Sequence, residues 1–289
     1  MEFLTAAAAI TGLNKEAAAE ATKRQESLVK PMGSLGRLEE ISIQLAGITG
    51  QVKNSIEKKI LFLFGADNGI YDRGVSAAPQ HFTNILLNSY GAGMKCGINT
   101  ICEKYGVDLK VVDMGVKGEI DYTNILDRKL MRNGTNDFSV QPAMTREIAG
   151  KAVETGFQLA RYADENGYQI IGTGEVGMAN TTTAAACIMA VLGIKDSSLA
   201  VGRGGGLTDE AFENKKKVIE EALRLHKPDQ DDVIDILSKV GGLDIAALAG
   251  LYIGAATVRL PIVIDGVISI AAALLAVKFN PLVKKFMIP

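Results

Sequence analysis

The residues with the most chemical promise lie between Gly172 and Ala186, in the run GTGEVGMANTTTAAA. Three glycines, Gly172, Gly174 and Gly177, allow a sharp backbone turn and the close approach of a ligand. A single acid, Glu175, sits at the tip of that turn. Asn180, Thr181 and the two threonines after it offer a helix N-cap and hydroxyl donors. A second run, Gly202-Arg203-Gly204-Gly205-Gly206-Leu207, opens a helix. Free N–H groups and the positive end of a helix dipole suit a phosphate there. The run is neither G-x-G-x-x-G nor a Walker loop, and a plain strand–helix turn has the same composition. Asp209 and Glu210 would repel a phosphate that did not keep to the glycine side.

Asp67, Asp113 and Asp265 end apolar runs, as Glu175 does. In a parallel sheet such ends converge. The expected site therefore holds several carboxylates and one glycine-rich anion loop, with oxygens as its only metal ligands. Two chemistries suit it. One is a magnesium-assisted phosphate reaction, with carboxylates holding the metal. The other is transfer of a ribosyl group, with carboxylates stabilising positive charge on the sugar.

The elements that must position these groups alternate between strand and helix. Lys59–Phe64, Asp108–Gly115, Tyr168–Ile171, Ser198–Val201 and Arg259–Asp265 read as strands. Near-continuous apolarity in the first marks a sheet covered on both faces. Asn14 caps a helix from Lys15 to Leu28, Thr145 one running through Leu159, and Thr208 or Asp209 one running to Leu225. Ala184–Leu192 reads as a buried helix, and Gly241-Gly242 opens another through Ala256. Val277–Lys285 reads as an apolar-basic helix. The predicted fold is α/β: a Rossmann-like three-layer domain with a mostly parallel sheet over residues 51–289, and a small helical domain that includes residues 1–50.

Composition narrows the function classes. The chain has 289 residues, 47% hydrophobic and 22% charged, with a formal charge of −2. No basic stripe exists, so nucleic acid is not an expected partner. Asp244, Arg259 and Asp265 break the most apolar segment before it reaches the ~20 residues of a membrane span. Cys96, Cys102 and Cys187 lack metal-ligand spacing, and His81 and His226 are far apart, so no zinc site is expected. Unpaired cysteines and the lack of a signal peptide suit the cytoplasm.

Several of these stretches resemble one family. GEVGMANTT, KPMGSLGRLE (Lys30–Glu39), the Gly65–Gly69 turn with Gly74–Pro79, GRGGGLTDE (Gly202–Glu210), GGLDIA (Gly241–Ala246) and Pro261–Gly266 are similar to motifs of the nicotinate-nucleotide–dimethylbenzimidazole phosphoribosyltransferases, in family order. The resemblance favours ribosyl transfer. It implies transfer of 5-phosphoribose from nicotinate mononucleotide to 5,6-dimethylbenzimidazole or a related base, without a cofactor or metal. It implies a nucleotide and phosphate site at Gly177, Asn180, Thr181, Gly204, Gly205, Gly206, Lys215, Asp244 and Asp265. Asp67, Ser76, Gln80 and Glu175 are then expected around the acceptor base, with Glu175 as the catalytic candidate.

The chain departs from the family at three places. Asn68 replaces a histidine and Gly205 a threonine. The R-L-G-E-G-T-G motif, whose glutamate is the family's proposed base, has no counterpart in these residues, nor do the C-terminal helices of the small domain, which is therefore expected to be incomplete. Three readings follow: a working transferase, a non-catalytic nucleotide-binding homologue or subunit of a hetero-oligomer, and a fragment of an ordinary enzyme. The resemblance also implies a homodimer.

Overall fold

A computed structural model describes all of residues 1–289. The helices and strands in chain order are α1 (Glu2–Ala8), α2 (Lys15–Ser27), α3 (Arg37–Thr49), β1 (Lys59–Ala66), α4 (Phe82–Gly91), α5 (Gly97–Tyr105), β2 (Val107–Gly115), β3 (Ile125–Asp127), α6 (Arg146–Glu165), β4 (Ile170–Val176), α7 (Asn180–Leu192), α8 (Asp209–His226), α9 (Val233–Val240), α10 (Leu243–Thr257), β5 (Ile262–Val263), α11 (Val267–Phe279) and β6 (Met287–Ile288). The six strands form one sheet in the order β3-β2-β1-β4-β5-β6, and every pairing is parallel. The chain order reverses direction between β1 and β4. In such sheets that crevice, beyond the C-terminal strand ends, is where ligands bind.

Alternation along β1 covers both faces. Phe62 and Phe64 enter the main core, which includes α6 and α10. Leu61 and Leu63 face a smaller cluster with Leu87 of α4 and with Val111 and Val176. Every residue of α10 from Leu243 to Ala256 is buried, as befits a helix apolar all round. It touches α6 almost backbone to backbone: a Cβ on Gly156 would lie 1.7 Å from the Ala247 carbonyl oxygen, and one on Gly250 1.8 Å from that of Val153.

At the N-terminus, Phe3, Ala7 and Ile10 belong to the main core, whereas α2 and α3 form a hairpin joined by Gln25 Nε2 donating to Ser42 Oγ at 2.6 Å. Arg259, itself in the left-handed region at φ 58, donates to the Ile48 and Gly47 carbonyls at 2.7 and 2.8 Å. It thereby satisfies the open C-terminal end of α3.

Four local expectations need correction. Gly172–Val176 is strand rather than turn: β4 runs to Val176 because Gly172 and Gly174 leave room for Leu61 of β1, whose side chain a Cβ would meet at 3.2 and 3.1 Å. Asn180 is the first residue of α7, and Ala179 occupies the cap position at φ 69. Ser198–Val201 is not a strand: Asp196 accepts from Ser198 N and winds Ser197–Leu199 into a 3-10 turn. The last helix stops at Phe279, where Asn280 and Pro281 start a 3-10 turn, and Met287–Ile288 then pairs with β5.

Candidate active site

The site is built at the C-terminal ends of β1 and β4. Glu175 is paired in register with Phe64, next to the end of β4. Beyond it the chain must turn into α7 within four residues. Gly177 makes this possible: a Cβ there would lie 2.3 Å from the Ala66 carbonyl oxygen. The left-handed Ala179 then swings Asn180 inward, where it is buried.

Asn180 Nδ2 donates to Glu175 Oε2 at 2.5 Å and to Asp244 Oδ2 at 3.1 Å. Asp244 lies in the first turn of α10, fully buried, and its Oδ1 accepts from Ile245 N at 2.9 Å. Burial pushes the Glu175 carboxyl up to about 7, and the Asp244 and Asp265 charges add to this while the Asn180 bond opposes it. Burial likewise lifts Asp244 to about 6, against its hydrogen bonds from Asn180 and backbone N–H groups. Asp265 is exposed at the end of β5 and acts on Glu175 through its charge.

A second cluster forms where α7 and α8 begin. Lys215 is completely buried. Its Nζ donates to Thr181 Oγ1 and to the Gly202 carbonyl, both at 2.9 Å. Burial lowers it to about 8. Gly204, at φ 58, crosses directly above: a Cβ there would meet Thr181 Oγ1 at 2.8 Å and the Lys215 ammonium at 3.6 Å. Gly205 and Gly206 are exposed on the same loop, and a Cβ on Gly205 would reach Ala77 at 4.0 Å. Of the two acids that stood to repel an anion, Asp209 is paired, accepting from Arg203 Nη2 at 2.5 Å. An ammonium without a carboxylate partner, beneath a glycine loop and beside a hydroxyl, is a place for an anion.

Ser76 and Gln80 stand on the loop entering α4, with Ser76 Oγ donating to Ala78 O at 3.2 Å. Thr83, buried in α4, accepts from Met178 N at 3.0 Å and ties that loop to the turn after β4. Asp67 is 1% exposed, accepts from Lys117 N at 2.8 Å through Oδ2 and leaves Oδ1 without a partner. Sequence reasoning noted Asn68 only as a departure from the family and missed its partner: its Oδ1 accepts from Thr183 Oγ1 at 2.8 Å and so joins the turn after β1 to α7. It also missed Lys129 and Tyr122, which hold Asp113 Oδ2 at 3.1 and 2.7 Å. The run NTT and the departure at Asn68 were the available signals for the first pair. Nothing local marked the second.

The comparisons agree on a family. A family model described as phosphoribosyltransferase matches residues 10–289. A nicotinate-nucleotide–dimethylbenzimidazole phosphoribosyltransferase of Clostridium tetani is 47% identical over 275 residues, which is 95% of this chain and 75% of the relative. One of Geobacter sulfurreducens is 44% identical over 289 residues, covering 99% of this chain and 81% of the relative. The crystal structure of CobT from Thermus thermophilus superposes with a TM-score of 0.88 at 34% identity, covering 94% of this chain and 81% of that one.

Proposed function

This chain belongs to the nicotinate-nucleotide–dimethylbenzimidazole phosphoribosyltransferase family, and we propose that it transfers the 5-phosphoribosyl group of nicotinate mononucleotide to a ring nitrogen of 5,6-dimethylbenzimidazole or a related base. The products are nicotinate and an α-ribazole 5′-phosphate.

One observation carries the donor side. The buried Lys215 ammonium has only the neutral Thr181 and Gly202 oxygens for partners, so the 5′-phosphate on Gly204–Gly206 supplies its missing counter-charge. The pyridinium of the donor already carries positive charge and leaves without a general acid. The ribosyl carbon then becomes oxocarbenium-like, and the negative potential of Glu175, Asp244 and Asp265 favours that charge. The azole loses a proton as its nitrogen bonds to the sugar. Glu175, raised to about 7, is poised to take it at neutral pH. The acceptor base is placed along Ser76 and Gln80, on the wall that Asp67 and Thr83 brace.

No helix is long and apolar enough to cross a membrane. Free Cys96, Cys102 and Cys187 support a reducing, cytoplasmic setting. Exposed Val29, Met32, Leu35 and Leu38 support a homodimer. Chromatographic detection of nicotinate and ribazole phosphate from the purified chain tests the reaction; absence of both products sinks it.

A further inference from the structure

We propose that the C-terminal ends of α7 and α8 form a second ligand site, which takes a small phosphate monoester carrying a compact apolar group. The inference stands apart from the reaction proposed above, because this site shares no side chain with the one at the strand ends.

A cavity of about 570 Å³ opens between the two helix ends, a size that suits a small ligand. Buried Met189 and half-buried Ile194, Leu223 and Pro228 supply its apolar lining. Lys195, Arg224 and Lys227 line it as well, and Glu220 is the one acid that does. Positive charge is therefore in excess by two. That excess matches the dianion of a phosphate monoester, which gains its second charge near pH ~6. A single carboxylate would leave one cation unmatched.

The three cations have no other task in the fold. Around them Lys216 pairs with Glu213, Lys217 with Glu221, Lys239 with Asp235 and Lys278 with Asp231. None of Lys195, Arg224 and Lys227 has a carboxylate within 4.0 Å. Cations also serve to satisfy the open carbonyls of helix ends, but here those carbonyls have donors already. Gly193 N and Ile194 N donate to the Ala190 and Met189 carbonyls, and Lys227 N to that of Leu223. Gln230 Nε2 donates to Val191 O at 3.2 Å.

The backbone at Lys227 is a second, independent sign. Lys227 is the C-cap of α8 and is held in the left-handed region at φ 44. Glycine is the ordinary residue at such an end, and Gly193 fills the same place after α7 at φ 67. A lysine kept where glycine fits better retains local strain, and strain of this kind concentrates at functional sites. The cavity is also remote from the glycine loop. Thr181 to Met189 along α7, and Lys215 to Arg224 along α8, each span roughly 12–14 Å of helix. A phosphate on Gly204–Gly206 does not reach it.

Met189 lines the cavity and reports on it. Methionine methyl groups of the full chain are carbon-13 labelled, and the Met189 signal, assigned by its loss in Met189→Leu, is followed by NMR. The probe is phenyl phosphate at about pH 7.5, where it is largely a dianion. The signal should shift saturably, with a midpoint at or below about 1 mM. Phenol and inorganic phosphate, the two halves of the probe, should each need at least about tenfold more. Arg224→Ala and Lys227→Gly should each weaken the probe by about tenfold, the loss of one charge-assisted contact. Lys227→Gly should not lower the melting temperature, because glycine accepts the left-handed backbone without strain. Lys215→Met, which alters the glycine-loop cluster alone, should leave the Met189 titration as it is in wild type. A Met189 signal unmoved up to about 10 mM phenyl phosphate, or a titration that neither cation variant weakens, overturns the site. So does a titration that inorganic phosphate alone reproduces, or one that Lys215→Met abolishes.

Discussion

The Lys215 ammonium lies 2.9 Å from the Thr181 hydroxyl, and no carboxylate stands among its partners. Substitution by methionine keeps the stem and removes the charge. Lys215→Met should weaken nicotinate mononucleotide binding by about 10- to 100-fold, the equivalent of one charge-assisted hydrogen bond of about 1.5–3 kcal/mol. The melting temperature should hold or rise, because a buried unpaired charge is lost. Isothermal titration and a thermal melt on one sample check both.

The same contact sets a pH window for donor affinity. Lys215 is lowered to about 8, so its charge is lost as pH rises through that value. A phosphate monoester gains its second charge near pH ~6. Affinity should peak between about 6 and 8, and the alkaline fall should vanish in Lys215→Met. An affinity that stays flat from pH 7 to 9.5 in the wild type places the phosphate away from Lys215.

Glu175 makes a prediction about stability. Its folded value of about 7 exceeds the unfolded value of 4.5, so the folded state binds the proton more tightly. The stabilising contribution is whole below pH 4.5 and is lost as pH rises through 7. Glu175→Gln removes that loss. Its stability relative to wild type should climb across this interval by at most about 3 kcal/mol, followed by urea unfolding at a series of pH values. A constant difference between the two proteins would contradict the raised carboxyl.

The α6–α10 contact should be intolerant of a methyl group. A Cβ on Gly156 would stand 1.7 Å from the Ala247 oxygen, which is backbone and cannot swing away. Gly156→Ala should cost about 3 kcal/mol or more as the helices separate. A melting temperature within about 2–3 °C of wild type, a shift that corresponds to no more than about 2 kcal/mol in a chain of this size, would show that the helices part easily.

Much of the frame was legible because it rests on local signals. Asn14 caps α2 by accepting from Ala17 N at 2.9 Å, and Thr208 caps α8 by accepting from Ala211 N at 3.3 Å. The apolar run of β1 sits between two covered faces. Glu175 and Asp244 were legible as acids inside family-like motifs, whereas Lys215 lies beyond the Gly202–Glu210 motif on what reads as the polar side of its helix, and its complete burial was not legible. Nor was the division of the three into two clusters, because it depends on where α7 and α10 meet. The pairing of Asn68 with Thr183 spans 115 positions, and no local pattern encodes it. The glycines of β4 misled for a physical reason: glycine serves equally where a chain turns and where a neighbour such as Leu61 needs space.

The central claim is that this chain transfers phosphoribose with Glu175 as the proton acceptor. The most direct measurement is the rate of nicotinate release with dimethylbenzimidazole present, in wild type and Glu175→Gln, across pH 5.5 to 9. Ribazole phosphate should form in step with nicotinate. The wild-type kcat should rise with pH to a plateau above about 7, and the variant should lose about 100-fold or more. A Glu175→Gln protein that keeps the wild-type kcat and pH profile would contradict the claim.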